Sequence, residues 1–177
     1  MILMVPALLL AALLGAEAGP AAATAAVHIT GSEIDTALQR SAEQADSDQP
    51  LRLVNVDNDY NLGISIVHRA RTGGRQIGPA AEHSAMAEIF HFIAGTGTLV
   101  TGGALASPQP SEIDPLSGPT ILGTRIVNGL TRAVGPGDVV VVPPNTPVQF
   151  TEVNSAELVY LVVRVDPRKA LATTPPG

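Results

Sequence analysis

The sequence contains no cysteine, which excludes a disulfide framework, a thiolate nucleophile and any zinc site with Cys ligands. Aromatic residues make up only 3% of the chain, so valine, isoleucine and leucine must fill the core, and this bias favours strands. Basic residues are also few, and the net charge of -6 predicts no nucleic-acid partner. No G-x-S-x-G, P-loop or H-E-x-x-H motif is present, so the sequence offers no sign of the hydrolase, phosphate-binding or zinc-protease chemistry that these motifs carry.

The remaining composition is that of a folded domain. Hydrophobic residues account for 45% of the chain and charged residues for 15%, a balance that indicates a globular core rather than disorder. The 177 residues are enough for one domain.

The N-terminus has the pattern of an export signal. An apolar run, Ile2–Gly15, precedes an A-x-A sequence at Ala16–Ala18, and a second such sequence follows at Ala23–Ala25. We therefore predict a signal peptide within residues 1–25, cleaved after Ala18 or Ala25, and an exported, periplasmic or secreted protein. The alternative is an uncleaved membrane anchor, although the apolar run is short for a span of about 20 residues.

A single helix is predicted before the strands begin. Thr30 and Glu33 have the spacing of a capping box, and apolar residues then recur along one helical face. The predicted helix runs from Glu33 to Ala45 within an N-terminal helical segment of residues 26–50. The turn-forming stretch Asp46–Pro50 ends it.

From Leu51 onward the pattern has a period of two residues and predicts nine or ten short strands over residues 51–167, which form either a sandwich or a barrel. Gly95–Gly97 is predicted as a tight connection between strands, and Asn128-Gly129 is the strongest hairpin signal in the chain. The apolar run Val139–Val142 predicts a buried strand. Residues 104–119 are predicted to form a long loop, and residues 168–177 a mobile tail.

Two stretches, Glu82–Gly103 and Gly135–Phe150, resemble the two motifs of the cupin superfamily. In the first motif, His83, Glu88 and Gly95 match, and Ala81 stands where the family has its first histidine. In the second, Gly137 and Pro143 match, while Val148 replaces a histidine. Asn145 replaces the second glycine, which an Asn tolerates because it visits left-handed conformations more readily than most residues. The resemblance covers Leu53 to Pro167, and within it Gly95–Gly103 and Val163–Pro167 are similar to small, often exported bacterial cupins.

This resemblance implies an all-β, cupin-like jelly-roll barrel with one N-terminal helix. Cupins usually hold a metal ion with three His and one Glu that face into the barrel, and such ligands suit Fe, Mn, Ni, Cu or Zn. By the resemblance, His83 and Glu88 would be two metal ligands. Two protein ligands bind a divalent ion weakly, because zinc sites usually supply three or four. Without a metal, His83 and Glu88 form a hydrogen-bonded pair that could exchange a proton.

Two further histidines are candidate ligands. His68 shares its strand parity with Ile64 and Ile66, so it could face the barrel and compensate for a lost ligand. His91 lies three residues after Glu88 and therefore points to the opposite face of the same strand if Glu88 points inward. The alternative for His68 is a histidine at a strand end that bonds to solvent or backbone.

Four apolar residues of the motifs have compatible parity and could line a hydrophobic pocket: Phe90, Phe92, Val148 and Phe150. The alternative is that they form the core of a domain that is short of aromatic residues.

Together with the resemblance, these observations predict an exported single-domain cupin that binds a small molecule, with His83 and Glu88 as the two ligands available to a weakly held divalent metal. The first alternative is a metal-dependent oxygenase, isomerase or lyase. The second is a non-catalytic homodimer that uses an edge strand such as Leu51–Asp57. A membrane is a partner only if the N-terminal segment is uncleaved.

Overall fold

The computed structural model describes residues 26–41, 44–73, 78–112 and 116–171. The predicted signal peptide and the last residues of the predicted tail, 172–177, lie outside the described residues. Within the described ranges, no helix has the length and apolar character that a membrane crossing requires.

One helix and eleven strands form the described part of the chain. In chain order they are α1 (Gly31–Ser41), β1 (Asp46–Val56), β2 (Tyr60–Ala70), β3 (Ala80–His83), β4 (Ala87–Thr101), β5 (Ala104–Ala106), β6 (Gln109–Pro110), β7 (Thr120–Gly123), β8 (Arg125–Val127), β9 (Leu130–Val134), β10 (Val139–Val142) and β11 (Val148–Asp166).

The strands form an antiparallel barrel around two long central strands. β11 pairs with β4 along most of its length, and the later part of β11 also pairs with β2, which leads to β1. The beginning of β11 meets β3 at Val148 and Ala81, and β3 continues to β7 and β6. The free side of β4 is taken by β9 along one half and β10 along the other. The predicted all-β architecture with a single helix is confirmed.

The core of the barrel is built around four aromatic rings, which compensate for the low aromatic content of the chain. Tyr160 lies at their centre, with ring centroids 5.4 Å from Phe90, 5.2 Å from Phe92 and 5.2 Å from Phe150. Aromatic pairs at these separations add to the stabilisation that burial alone provides. All four rings point inward because alternate residues of β4 and β11 face the barrel interior.

Helix α1 covers the outer face of β2 and β11. Ala37 packs there against Ile66 and Val159, with further apolar contacts from the same helix face. The predicted capping box is present, because Thr30 N donates to Glu33 Oε2 at 2.8 Å and Glu33 N donates to Thr30 Oγ1 at 3.3 Å.

The barrel begins at Asp46 rather than at the expected Leu51. Asp46–Pro50, which the sequence marks as the end of the helix, already forms part of β1 and pairs with β2. Pro50 is accommodated because β1 pairs with β2 alone among the described residues, and a shift of register follows it. The four polar residues of this stretch, Asp46, Ser47, Asp48 and Gln49, thereby enter the barrel wall.

Three local expectations differ from the structure. Asn128-Gly129 does not close a hairpin, since β8 pairs with β5 and β9 pairs with β4. The predicted long loop contains β5 and β6. Only one end of the predicted buried strand is buried, because Val139 and Val141 are 59% and 62% exposed. β10 covers the core with one face only, so its continuous apolar run does not indicate burial on both faces.

Gly95 serves a close approach between strands rather than a tight connection. β4 runs unbroken through Gly95–Gly97, and Gly95 has a φ of 76°. A Cβ atom at this position would lie 1.8 Å from the carbonyl oxygen of Glu157 on β11. The glycine is therefore required both by its backbone conformation and by the neighbouring strand.

We expect Gly95→Ala to lower the free energy of unfolding by more than about 1 kcal/mol, because alanine strains the positive φ and displaces β11. Gly102→Ala is the matched control, since Gly102 has a φ of 75° and open space around its Cβ position. Urea denaturation measures both variants. Equal losses in the two variants would show that the approach of β11 adds nothing to the strain.

Candidate functional site

The four positions of the cupin metal motif meet at one cavity. Ala81, His83, Glu88 and Val148 all line a space of about 390 Å³ at the mouth of the barrel. Ala81 and Val148 are direct partners across β3 and β11. The two positions that lack a ligating side chain therefore form one continuous apolar wall, while His83 and Glu88 lie together elsewhere in the cavity.

His83 and Glu88 lie close to each other without a direct hydrogen bond. His83 Nε2 is 3.6 Å from Glu88 Oε2, and both side chains are largely buried. The hydroxyl of Thr120 donates to the carbonyl oxygen of Gly118, so its oxygen is left to accept the proton of His83 Nδ1 at 3.0 Å. In a neutral imidazole of this tautomer, Nε2 is an acceptor and faces the carboxylate of Glu88, another acceptor. A donor group placed beside them can reach both.

Arg164 is the cation that contacts Glu88 in the cavity, and no sequence motif points to it. It lies directly across from Glu88 in the pairing of β11 with β4, and it is 5% exposed. Its Nε donates to Glu88 Oε1 at 3.1 Å, Nη1 donates to Ser65 Oγ at 3.1 Å, and Nη2 donates to Asp48 Oδ2 at 2.6 Å. Burial alone would lower the pKa of Arg164, but the carboxylates of Asp48 and Glu88 raise it above its ordinary value. Arg164 is therefore a permanent cation held by two carboxylates.

A second arginine of the cavity, Arg69, is partly buried and lies against the aromatic rings. Its Nη1 donates to Asp46 Oδ2 at 2.5 Å, and its Nε donates to Tyr160 Oη at 2.9 Å. The guanidinium lies 4.8 Å from the centroid of the Phe150 ring, within range of a cation–π interaction. Burial raises the pKa of Tyr160 to about 12, and Arg69 opposes part of this rise.

We expect stability to fall as the pH rises from about 10 to about 12. The pKa of Tyr160 is about 12 in the folded protein and about 10 in the unfolded chain, so the stabilising contribution is complete below pH 10 and is lost above it. The ultraviolet absorbance of tyrosinate in a Tyr60→Phe background reports the ionisation of Tyr160 alone. A Tyr160→Phe variant should lose this pH dependence of urea unfolding, and ionisation near pH 10 would contradict the expectation.

Neither of the additional candidate ligands reaches the cavity. His68 lies on the face of β2 opposite to Val67 and Arg69, which line the cavity, so the expectation that it faces the barrel is wrong. The reason is that Ile66, which shares its parity, packs beneath α1. His68 Nε2 lies 3.1 Å from Glu157 Oε2. His91 is exposed on the outer face of β4, opposite Val139.

The aromatic and apolar motif residues belong to the core, and most of them also reach the cavity. Phe90, Val148 and Phe150 are members of the main core cluster and line the cavity at the same time. Phe92 is fully buried in that cluster and does not line the cavity. Phe90, Val148 and Phe150 are therefore both core residues and lining residues of the pocket, whereas Phe92 is a core residue only.

Sequence reasoning overlooked the charged residues that contact one another in the cavity. Asp46 and Asp48 lie in the stretch that the sequence marks as the end of the helix, and Arg69 lies outside both motif stretches. Arg164 offered a usable signal, because it is a single charge within the apolar run Leu161–Val165. A charged residue is almost never fully buried without a partner, so this position pointed to a buried counter-charge.

The donor set around Glu88 does not fit a divalent metal ion. His83 and Glu88 supply two of the usual four ligands, and Oε1 of Glu88 already accepts a hydrogen bond from Arg164. In the described ranges, no group of three or more His, Asp or Glu side chains is arranged to hold a metal.

Comparison with known proteins supports the fold. No family model and no curated protein matches the chain. A solved structure from Bacillus halodurans is similar, with 13% identity, 85% of each chain covered and a TM-score of 0.50. An RmlC-like cupin with a double-stranded β-helix fold, from Methanocaldococcus jannaschii, has 18% identity over 71% of this chain and 85% of its own, with a TM-score of 0.42. A cupin from Bacteroides fragilis has 16% identity over 66% of this chain and 70% of its own, with a TM-score of 0.40.

At these identities a likeness concerns the fold alone. The antiparallel barrel of the described residues agrees with that likeness. The predicted fold is confirmed at this level: the chain has an all-β jelly-roll fold with one helix.

Proposed function

We propose that this cupin domain binds a small, uncharged, hydroxylated molecule in the cavity at the barrel mouth. The observation that carries the proposal is a cavity of about 390 Å³ that is lined by polar and apolar side chains together. This volume falls within the range of small-molecule sites, which combine an apolar lining with a few polar groups.

The available polar atoms specify what a ligand must offer. The carboxylates of Asp48 and Glu88 in the lining accept hydrogen bonds, and Nε2 of His83 also accepts one in the neutral tautomer described above. The side-chain amide of Gln149, also in the lining, donates hydrogen bonds through Nε2. A hydroxyl group supplies both a donor and an acceptor, which matches this combination.

The charge balance of the cavity favours a neutral ligand. The two guanidinium groups of the lining, Arg69 and Arg164, are already paired with carboxylates. A ligand carboxylate would have to compete with the carboxylates of the protein for the same donors. A ligand ammonium group would have to give up its hydration for carboxylates that already have a cation.

A thermal-shift screen tests this proposal with neutral polyols and monosaccharides against matched sugar acids and amino sugars. At least one neutral compound should raise the melting temperature of the protein, since a ligand that binds only the folded state stabilises it. Ala81→Leu fills the apolar wall of the cavity and should abolish the shift. Ala104→Leu, at an exposed position on β5, is the matched control and should keep it.

Two results would overturn the proposal. One is that no neutral compound shifts the melting temperature while a charged analogue does. The other is that Ala81→Leu responds like the unmodified protein, because the ligand would then bind outside the cavity.

The alternative of a metal-dependent oxygenase, isomerase or lyase requires a ligand set that the cavity lacks. A non-catalytic dimer is favoured by one observation, the apolar outer face of β10 and β4, where Val139, Val141 and Ile93 are exposed. This second candidate predicts a dimer by light scattering that Val141→Lys converts to a monomer. An unmodified protein that is monomeric by the same measurement would remove it.

Export remains part of the proposal and is tested separately. Expression of the full chain in a bacterial host, followed by N-terminal sequencing of the periplasmic and secreted fractions, should give a protein that starts at Gly19 or Ala26. An intact Met1 in the membrane fraction would instead support the uncleaved anchor.

A further inference from the structure

We infer that Arg164 takes the place of the metal ion in this cupin: its guanidinium is the cation that binds Glu88 in the cavity. Arg164 plays this role whichever small molecule the cavity binds. A guanidinium at Glu88 also explains why only two of the usual metal-ligand positions keep ligating side chains.

The pairing of β11 with β4 brings Arg164 and Glu88 together. Arg164 is the cross-strand partner of Glu88, so the guanidinium and the carboxylate extend from adjacent positions into the same space. Nε of Arg164 contacts Oε1 of Glu88, which is the oxygen turned away from His83. A carboxylate that accepts this hydrogen bond is no longer free to coordinate a metal through both oxygens.

The buried charges around Arg164 balance one another without a metal ion. Arg164 and Glu88 are both almost completely buried, and Asp48 adds a second carboxylate to the same guanidinium at 2.6 Å. A buried carboxylate requires a counter-charge, and here the chain itself supplies one. A divalent ion bound at Glu88 would lie within a few ångströms of the guanidinium, and the like charges would repel each other strongly in a poorly solvated cavity.

The apolar wall of the cavity, Ala81 and Val148, offers no metal ligand. At the two motif positions that lack a ligand, Ala81 and Val148 pair with each other and line the cavity. Neither side chain of this wall has an atom that could coordinate a metal ion in competition with Arg164. The loss of two ligands and the presence of the guanidinium are therefore consistent with each other.

The experiment compares metal binding to the mature protein and to Arg164→Met. Zn²⁺ and Ni²⁺ are titrated into each protein by calorimetry, after purification without a metal-affinity tag. The unmodified protein should give the same isotherm as its His83→Ala variant, because neither binds metal at this position. Arg164→Met leaves the carboxylate of Glu88 beside His83 without its cation, and its affinity for Zn²⁺ should rise by about 10-fold or more, because the repulsion from the guanidinium is gone and a buried carboxylate requires a counter-charge.

Controls assign any gain to this site. Arg69→Met removes the other guanidinium of the cavity lining, which contacts Asp46, and should leave metal binding unchanged. Arg164→Met combined with His83→Ala should lose the gain. If Arg164→Met does not fold in the absence of metal, Zn²⁺ should restore its circular dichroism spectrum, because binding to the folded state alone stabilises it. Arg164→Gln serves as a second variant with a smaller loss of polarity.

Two outcomes would overturn the inference. In the first, the unmodified protein binds about one equivalent of Zn²⁺ or Ni²⁺ and loses it in His83→Ala, so that metal and Arg164 coexist. In the second, neither Arg164→Met nor Arg164→Gln gains affinity or is stabilised by Zn²⁺, which would mean that the guanidinium is not what keeps the metal out.

Discussion

Arg164→Met should lower the free energy of unfolding by about 3 to 5 kcal/mol, the range found when one partner of a buried ion pair is removed. The loss is large because Glu88 is 3% exposed and would be left without its cation. Asp48 is better solvated and adds less to the cost. Urea denaturation at neutral pH measures the effect, with circular dichroism to confirm that the variant folds.

A double variant separates the cost of an orphaned charge from the value of the pair. Arg164→Met combined with Glu88→Met removes both charges, so it should be more stable than Arg164→Met alone, because an apolar replacement of a buried pair is often neutral. Arg52→Met is the matched control, since Arg52 pairs with Glu33 at an exposed position where such pairs contribute about 0 to 1 kcal/mol. A double variant whose loss equals the sum of the two single losses would contradict this account.

Phe92→Ala should destabilise the protein by about 3 to 5 kcal/mol, the usual cost of removing a buried aromatic side chain. Phe92 is fully buried and contacts the rings of Tyr160 and Phe150, so its removal leaves a cavity at the centre of the only aromatic cluster of the described residues. The effect is measured as a shift of the urea midpoint.

Ile93→Ala is the control for Phe92→Ala, because Ile93 is the next residue of β4 and points to the other face, where it is 42% exposed. Its loss should stay below about 1 kcal/mol, in line with a partly exposed side chain. Similar losses at the two positions would mean that the inward parity of β4 has been assigned wrongly, and the position of Glu88 would then be in doubt as well.

The fold could be predicted from the sequence because its signals are local and agree with one another. The capping box of Thr30 and Glu33 marks the helix, and the period of two residues in β4 places Glu88, Phe90 and Phe92 on one face. The pairing of the strands could not be predicted from the sequence in the same way. Asn128-Gly129 has a hairpin sequence, but β8 pairs with β5 and not with β9. No local sequence pattern predicts this pairing.

The candidate site could be predicted only in part. His83 and Glu88 were found through a motif, whereas Arg164 belongs to no motif and its partner is 76 residues away in the sequence. The parity of His68 was misjudged for a related reason. β2 has apolar residues on both faces, one towards the core and one beneath α1, so alternation alone does not tell which face is inside.

The measurement that tests the central claim most directly is the metal content of the mature protein and of Arg164→Met, both purified without chelator or metal-affinity tag and analysed by mass spectrometry of the elements. The account predicts far less than one metal ion per chain in the unmodified protein and a clear increase in Arg164→Met after exposure to Zn²⁺ and removal of the excess. About one tightly bound ion per chain in the unmodified protein, lost in His83→Ala, would contradict it, because the cavity would then hold a metal beside Arg164.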